Sequence, residues 1–426
     1  MYLYHSRKGF AVRILLLSNL YPPYVDGGAE IVAADFAVGL EHLGHEVVVL
    51  TSSYGLSKGQ GEENVWRILD ATPAAHFDRQ RPLWQQLDQP YNYYRSYHNP
   101  NNVRQLNRII AEIRPDGLYI WEIPGIGVNS FLEALPDLSI PVVFHLESYW
   151  LLYAQSPETA QSRLRAQWLK KLLIGSVPRV SATSLIACSS TVKQKYMQSG
   201  ISADRIEVIY NGIDDRFLGL SHEQDNNIDN KSATKKDIQL LYVGRLSLEK
   251  GVLTILKALD ILVNEQGRQD LYLNIFGKGD EIYERELHDF LRDKNLTHLV
   301  TFHGRVTQDE LIKHYDASDI MLVPSLWQEP FGLVVAEAMA RGLPIIAANV
   351  GGPAEMIVHE RNGLLVEPGD EQELSTAIIR LVENPDERSN LSSAARITVR
   401  ERFSIEENVR LVEQHLLRAV QKGHVY

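Results

Sequence analysis

Apolar residues along the chain fall into two alternating patterns. Short, mostly apolar runs at Val12–Ser18, Glu46–Thr51, Gly117–Trp121, Val142–Leu146 and Leu185–Cys188 have the length and composition of buried strands. Between them lie helix-length stretches, the first opening at Gly27-Gly28-Ala29-Glu30 and running toward Leu43. This alternation predicts parallel sheets flanked by helices. It breaks down twice. Residues 53–102 are polar, rich in tyrosine and proline, and weakly periodic, which predicts an irregular insertion or loops. Residues 221–237 (SHEQDNNIDNKSATKKD) carry almost no large apolar side chain and read as a surface linker. The rhythm then restarts, with strands predicted over 238–243, 271–276, 300–303, 320–324 and 344–348. Helices are predicted over 252–263, 282–294, 308–316 and 333–341, and a terminal amphipathic helix over 410–421. The expected fold class is α/β, with two doubly wound Rossmann-like domains facing a central cleft. A first domain over 1–220 and a second over 238–405 flank the linker.

A length of 426 residues agrees with two domains. With 44% hydrophobic and 23% charged residues, the composition excludes a disordered chain, a collagenous repeat or a disulfide-stapled miniprotein. The net charge of -11 argues against nucleic acid as a partner, because phosphate neutralisation needs a basic face. The charge is uneven: residues 1–220 hold 20 Lys+Arg against 21 Asp+Glu, and the remainder 23 against 33. A nearly neutral first half can still meet an anionic surface through a local basic patch. The stretch 163–174 (RLRAQWLKKLLI) is basic, amphipathic and tryptophan-bearing. It is a candidate for peripheral membrane contact, against the alternative of a packed helix with a charged outer face. The single cysteine, Cys188, ends an apolar run and reads as a core thiol, so a cytoplasmic location is expected. No apolar run approaches the ~20 residues of a membrane helix, and residues 1–10 read as a short extra tail.

In doubly wound sheets ligands bind beyond the carboxyl ends of the strands. Four strand-to-helix junctions carry candidate chemistry. In Leu241-Tyr-Val-Gly-Arg-Leu-Ser-Leu-Glu-Lys-Gly251, Arg245 follows a strand and Lys250 precedes a helix, which suits a strongly anionic group such as a pyrophosphate. The segment Trp327-Gln-Glu-Pro-Phe-Gly-Leu-Val-Val-Ala-Glu337 places Glu329 before a helix and Glu337 within its apolar stretch. Two carboxylates around a phosphate-seeking loop suit the hydroxyls of a ribose and a sugar. The alternative is a capping and a surface glutamate. Gly27-Gly28 at a helix start also suits close approach to a phosphate, although glycine pairs more often mark turns. His145 and Glu147 share one face of a strand end and could bond a sugar or handle a proton; a core histidine is the alternative. No Asp-x-Asp pair, no His/Cys set at metal-ligand spacing and no Walker or nucleophile motif occurs, so no metal is called for.

At these residues the chain resembles the retaining GT-B glycosyltransferases of the GT4 type. Glu329 and Glu337 have the E-x7-E spacing of that family, in EPFGLVVAE. VGRLSLEKG, HGRVTQDELIKHYDASDIMLVPS and PSLWQEPFGLVVAEAMARGLPIIAANVGGPAEMI are similar to its donor-binding segments. The resemblance implies a donor-binding second domain and an acceptor-side first domain, onto which the terminal helix 406–426 packs back. It implies that Arg245 and Lys250 grip the donor diphosphate and that Glu329 binds the transferred sugar. Phe331, Gly332 and Leu333 would offer backbone amides, Glu337 would hold the ribose, Arg305 and Val306 would contact the base, and Gly27 and Gly28 the distal phosphate. Many members carry a His-Asp pair two residues before a tryptophan such as Trp150. Aligned there this chain has Glu147-Ser148, with His145 two residues upstream, so either His145 or Glu147 takes that role.

The expected activity is therefore transfer of a sugar, with retention, from a nucleotide-diphosphate donor to an acceptor hydroxyl. A UDP-sugar is favoured as donor, and neither a metal nor a further cofactor is required. The acceptor is a glycan, a lipid or a small molecule; Tyr91, Tyr93, Tyr94, Arg95, Tyr97 and His98 offer stacking surface for a glycan. The alternatives are a nucleotide-sugar epimerase on the same architecture and a non-catalytic nucleotide-sugar binding protein.

Overall fold

A computed structural model describes residues 11–55, 63–72, 94–155, 184–219 and 237–423. Residues 1–10, most of the linker, the 163–174 stretch, Tyr91 and Tyr93 lie outside the described residues. The chain divides into two compact units, one of residues 1–210 with 405–426, the other of residues 211–404.

The first unit is built on a seven-stranded parallel sheet. Its strands are β1 (Arg13–Leu17), β2 (Glu46–Ser52), β3 (Val65–Leu69), β4 (Gly117–Ile120), β5 (Val142–Leu146), β6 (Ser184–Ala187) and β7 (Ile206–Val208). They lie in the order β3-β2-β1-β4-β5-β6-β7, so the direction of winding reverses between β1 and β4. Leu15, Leu16, Leu17, Leu118, Tyr119, Ile120, Phe144 and Leu146 are buried, as a sheet covered on both faces requires. Strand β3 corrects the expectation of irregular structure over 53–102. Its residues before Leu69 are only half-buried at the sheet edge, and Arg67 interrupts the apolar run that marks the inner strands. A helix over Pro100–Ile113 follows in the same region, capped by the Asn99 side chain.

The helix Ile405–Gly423 belongs to this first unit. It lies close against the helix Gly28–His42: a Cβ on Gly39 would stand 2.6 Å from a methyl of Val409. Two histidines fasten it. His45 meets Glu413 at 2.8 Å, and His415 lies 2.7 Å from Glu207 and 2.8 Å from Ser184 Oγ. Burial lowers the pKa of His415, so the neutral ring bridges the two strands bearing Ser184 and Glu207.

The second unit has six parallel strands in the order β10-β9-β8-β11-β12-β13. These are β8 (Ile238–Val243), β9 (Leu271–Phe276), β10 (Val300–Gly304), β11 (Ile320–Val323), β12 (Ile345–Ala348) and β13 (Leu364–Val366). Winding reverses between β8 and β11. The helices Val252–Asp260, Glu281–Asp293, Gln308–Ala317 and Leu333–Ala340 occupy the predicted segments within a residue or a turn. The first of them passes into a π turn at Ile261–Glu265. Strand β13 and the helices Glu371–Glu383 and Pro385–Arg402 have no counterpart in the sequence reading. The strand has only three residues, and the last helix is strongly charged, so neither shows a clear apolar period.

Candidate active site

The carboxyl ends of β8 and β11 flank the reversal point of the second sheet, the usual ligand position in such sheets. Two loops converge there. After β8 the chain runs through Arg245 to a single turn, Leu248–Lys250, closed by Gly251. Gly251 has φ +71°, and a Cβ there would lie 2.0 Å from the Pro324 carbonyl oxygen, so only glycine lets this loop rest against the end of β11. The backbone N–H of Leu326 donates to Glu249 O at 2.8 Å and completes the contact.

That apposition joins Lys250 to Glu329. Lys250 Nζ donates to Glu329 Oε1 at 2.6 Å and stands 5.7 Å from the centre of the Trp327 ring. Ser325 Oγ donates to the same oxygen at 2.5 Å. Glu329 is 6% exposed, so its carboxylate is held by a cation and a hydroxyl in a largely desolvated place. Both bonds fall on Oε1. Arg245 sits on the same loop with an exposed guanidinium that pairs with no carboxylate among the described residues. Its backbone carbonyl accepts from the buried Tyr242 hydroxyl at 2.8 Å. Burial, and then Glu329 nearby, pushes the Tyr242 pKa well up, so the phenol stays a donor.

Gly332, with φ +91°, turns the chain into the helix Leu333–Ala340. This helix is buried over Val335–Ala340, as its uniformly apolar sequence requires, apart from one charged side chain. That side chain is Glu337, 5% exposed, and it accepts a hydrogen bond from Tyr315 Oη at 2.8 Å. Phe331 is buried, and Gly332 and Leu333 are half-buried at the N-terminal end of the helix. Arg305 is exposed and Val306 half-buried in the loop between β10 and the helix Gln308–Ala317, whose start is fixed by a reciprocal Thr307–Glu310 cap.

The first unit places its predicted residues differently. Gly27 and Gly28 are exposed at the start of the helix Gly28–His42, with open space around Gly27. The Gly27 N–H is not free; it donates to the Glu30 carboxylate at 3.0 Å. His145 has no exposed surface. It stacks on Trp121 at 4.1 Å, meets Phe36 edge-on, and lies 2.5 Å from the Tyr119 hydroxyl through Nδ1. Burial raises the Tyr119 pKa well above its usual value, so the phenol donates to Nδ1. Nε2 faces Glu147 Oε1 at 3.1 Å, out of line for a hydrogen bond.

Sequence reasoning passed over Tyr315, Ser325 and a pair of buried acids in the first unit. Glu122, just beyond β4, accepts from Ser148 Oγ at 3.0 Å and is 7% exposed. Burial first, and the charges of Glu30 and Glu147 next, raise its pKa well above the usual carboxylate range. Glu30 is also raised, chiefly by burial. The signal available was a carboxylate directly after the apolar run Gly117–Trp121. Among the described residues no three His, Cys, Asp or Glu side chains gather as a metal ion would need, and no helix is long and apolar enough to cross a membrane.

The family model described as Glycosyltransferase Family 4 matches residues 26–217, and that described as Glycosyl transferases group 1 matches residues 223–398. The chain belongs to the group 1 glycosyltransferases. Its reaction is sugar transfer from a nucleotide sugar. An uncharacterised glycosyltransferase of Methanocaldococcus jannaschii is 26% identical over 92% of this chain and 95% of its own. A glycogen synthase of Mycobacterium tuberculosis is 26% identical over 90% and 89%. Among solved structures, sucrose-phosphate synthase from Thermosynechococcus elongatus superimposes with a TM-score of 0.72 at 22% identity, covering 96% of this glycosyltransferase and 98% of that chain. Anabaena HepE, solved in complex with UDP-glucose, gives 0.68 at 23% identity, covering 96% and 100%. The shared architecture is GT-B, two Rossmann-like domains.

Proposed function

We propose that this glycosyltransferase retains the configuration of the sugar it moves, takes it from a UDP-sugar, and uses side-chain cations in place of a metal. The observation that carries the reading is the Lys250–Glu329 pair, 2.6 Å apart, at the reversal point of the second sheet. In the reaction the bond from the sugar's anomeric carbon to the diphosphate breaks, and a bond to the acceptor oxygen forms on the same face. Positive charge develops on the sugar and negative charge on the departing diphosphate. Lys250, held in place by Glu329, and Arg245, exposed on the same loop, stabilise the diphosphate; a preorganised charge of this kind contributes about 3–4 kcal/mol. A diphosphate oxygen takes the acceptor proton, so no protein nucleophile is needed. Glu329 Oε2 accepts from a sugar hydroxyl, while Glu337 accepts from the ribose. Phe331, Gly332 and Leu333 present amides at the helix start, and Arg305 and Val306 border the base.

In the first unit the acceptor is held at the carboxyl edge of the sheet. There Glu147 is the polar group toward the substrate, and His145, with no exposed surface, acts through it. The UDP complex of HepE and the breadth of the relatives support a UDP-sugar and leave the acceptor as a glycan, lipid or small molecule. Thermal-shift titration with UDP, GDP and ADP sugars tests the donor, since a ligand of the native state raises the melting temperature. NMR of the product anomer tests retention, and activity in excess chelator tests independence of metal. Conversion of donor without acceptor would replace transfer by epimerisation, and binding without either reaction would leave only a binding protein.

A further inference from the structure

We infer that Tyr315 is a positioning residue of the donor site, holding the Glu337 carboxylate in the orientation that receives the ribose hydroxyls. This rests on the reading of Glu337 as the ribose acceptor. Tyr315 lies near the end of the helix Gln308–Ala317 and is 1% exposed. Its hydroxyl donates to Glu337 Oε2 at 2.8 Å, within a wholly buried contact. The ring is fixed by Phe217, which meets it edge-on at 6.2 Å. The last torsion of a glutamate is broad, which leaves a carboxylate rotational freedom unless a donor fixes it. One bond from a rigid donor removes that freedom and sets the lone pairs of the group before the ligand arrives. The phenol is suited to this because burial, and after it the Glu337 charge, raises its pKa well above the usual 10. It therefore donates throughout the working pH range. Glu329 is held by a hydroxyl in the same way, through Ser325, so each of the two acids has its own orienting donor.

The test uses whichever of UDP, GDP or ADP shifts the melting temperature most, with its 2′-deoxy and 3′-deoxy forms, in calorimetric titration of the full chain. Wild type should prefer the ribonucleotide, and Glu337→Ala should lose that preference. Tyr315→Phe should lower ribonucleotide affinity about fivefold to tenfold, leave a deoxy form nearly unchanged, and raise KM for the donor with kcat within about twofold. An equal loss for both nucleotides, or none, overturns the inference while Glu337 keeps its role. A wild type indifferent to the deoxy forms, or a Glu337→Ala protein that still discriminates, overturns the ribose reading and this inference with it. If Tyr315→Phe does not fold, Glu337→Gln and Glu337→Leu read the bond from its other end. The first keeps an oxygen for the phenol and should retain part of the preference, the second none; equal loss overturns the inference.

Discussion

The ligand edges of the two sheets both bury carboxylates, yet they stabilise them in opposite ways. In the second unit Glu329 is met by the Lys250 ammonium and the Ser325 hydroxyl, and Glu337 by the Tyr315 hydroxyl. In the first, Glu122 has a hydroxyl partner, and burial first, then the charges of Glu30 and Glu147, raise its pKa. Donors orient an acid; burial beside like charges drives it toward the neutral form. The first arrangement suits fixed recognition of hydroxyls and phosphates. The second gives an edge whose charge depends on pH.

The largest effect should come from removing the cation that defines the second edge. Lys250→Ala should cut kcat about 10²–10³-fold, read as initial rates of transfer from the preferred nucleotide sugar. A variant at the wild-type rate would end the assignment of the diphosphate site. Next, Glu337→Ala should raise the donor KM about tenfold, roughly 1.4 kcal/mol of lost binding, with the larger part of kcat preserved. A fall in kcat alone would move Glu337 from ribose to the reacting sugar.

The smallest effect concerns the first edge and has the opposite sign for stability. Because the folded Glu122 binds its proton more tightly than the unfolded one, its ionisation destabilises the fold as pH rises from about 4.5 through the raised folded value. Glu122→Gln removes that contribution. Its melting temperature should match wild type near pH 5 and exceed it near pH 8. A variant less stable than wild type at pH 8 would show that Glu122 is ionised and paired, and the contrast between the two edges would disappear.

Much of the second unit was legible in the chain because local signals agreed. Gly251 and Gly332 mark loops that only glycine can close, and the apolar run around Glu337 announces a buried helix with one acid in it. The first unit was less legible. Edge strand β3 carries no unbroken apolar run, and the glycine pair at 27–28, read as a phosphate loop, has its first N–H engaged by Glu30. The pairing of His145 and Glu147 on one face was readable from their spacing of two, but not the complete enclosure of His145 by Trp121, Tyr119 and Phe36.

Periodicity and residue type suffice for the two parallel sheets, the linker composition and the segments that mark a nucleotide-sugar enzyme, because each depends on neighbours a few positions apart. Only the folded chain reveals that Tyr315 reaches Glu337 across 22 positions and Lys250 reaches Glu329 across 79. It alone shows that Glu122 is buried beside the charges of Glu30 and Glu147. Hydrogen bonds and electrostatic energies depend on distance and burial in space, and strand order, which sets both, is absent from any local pattern.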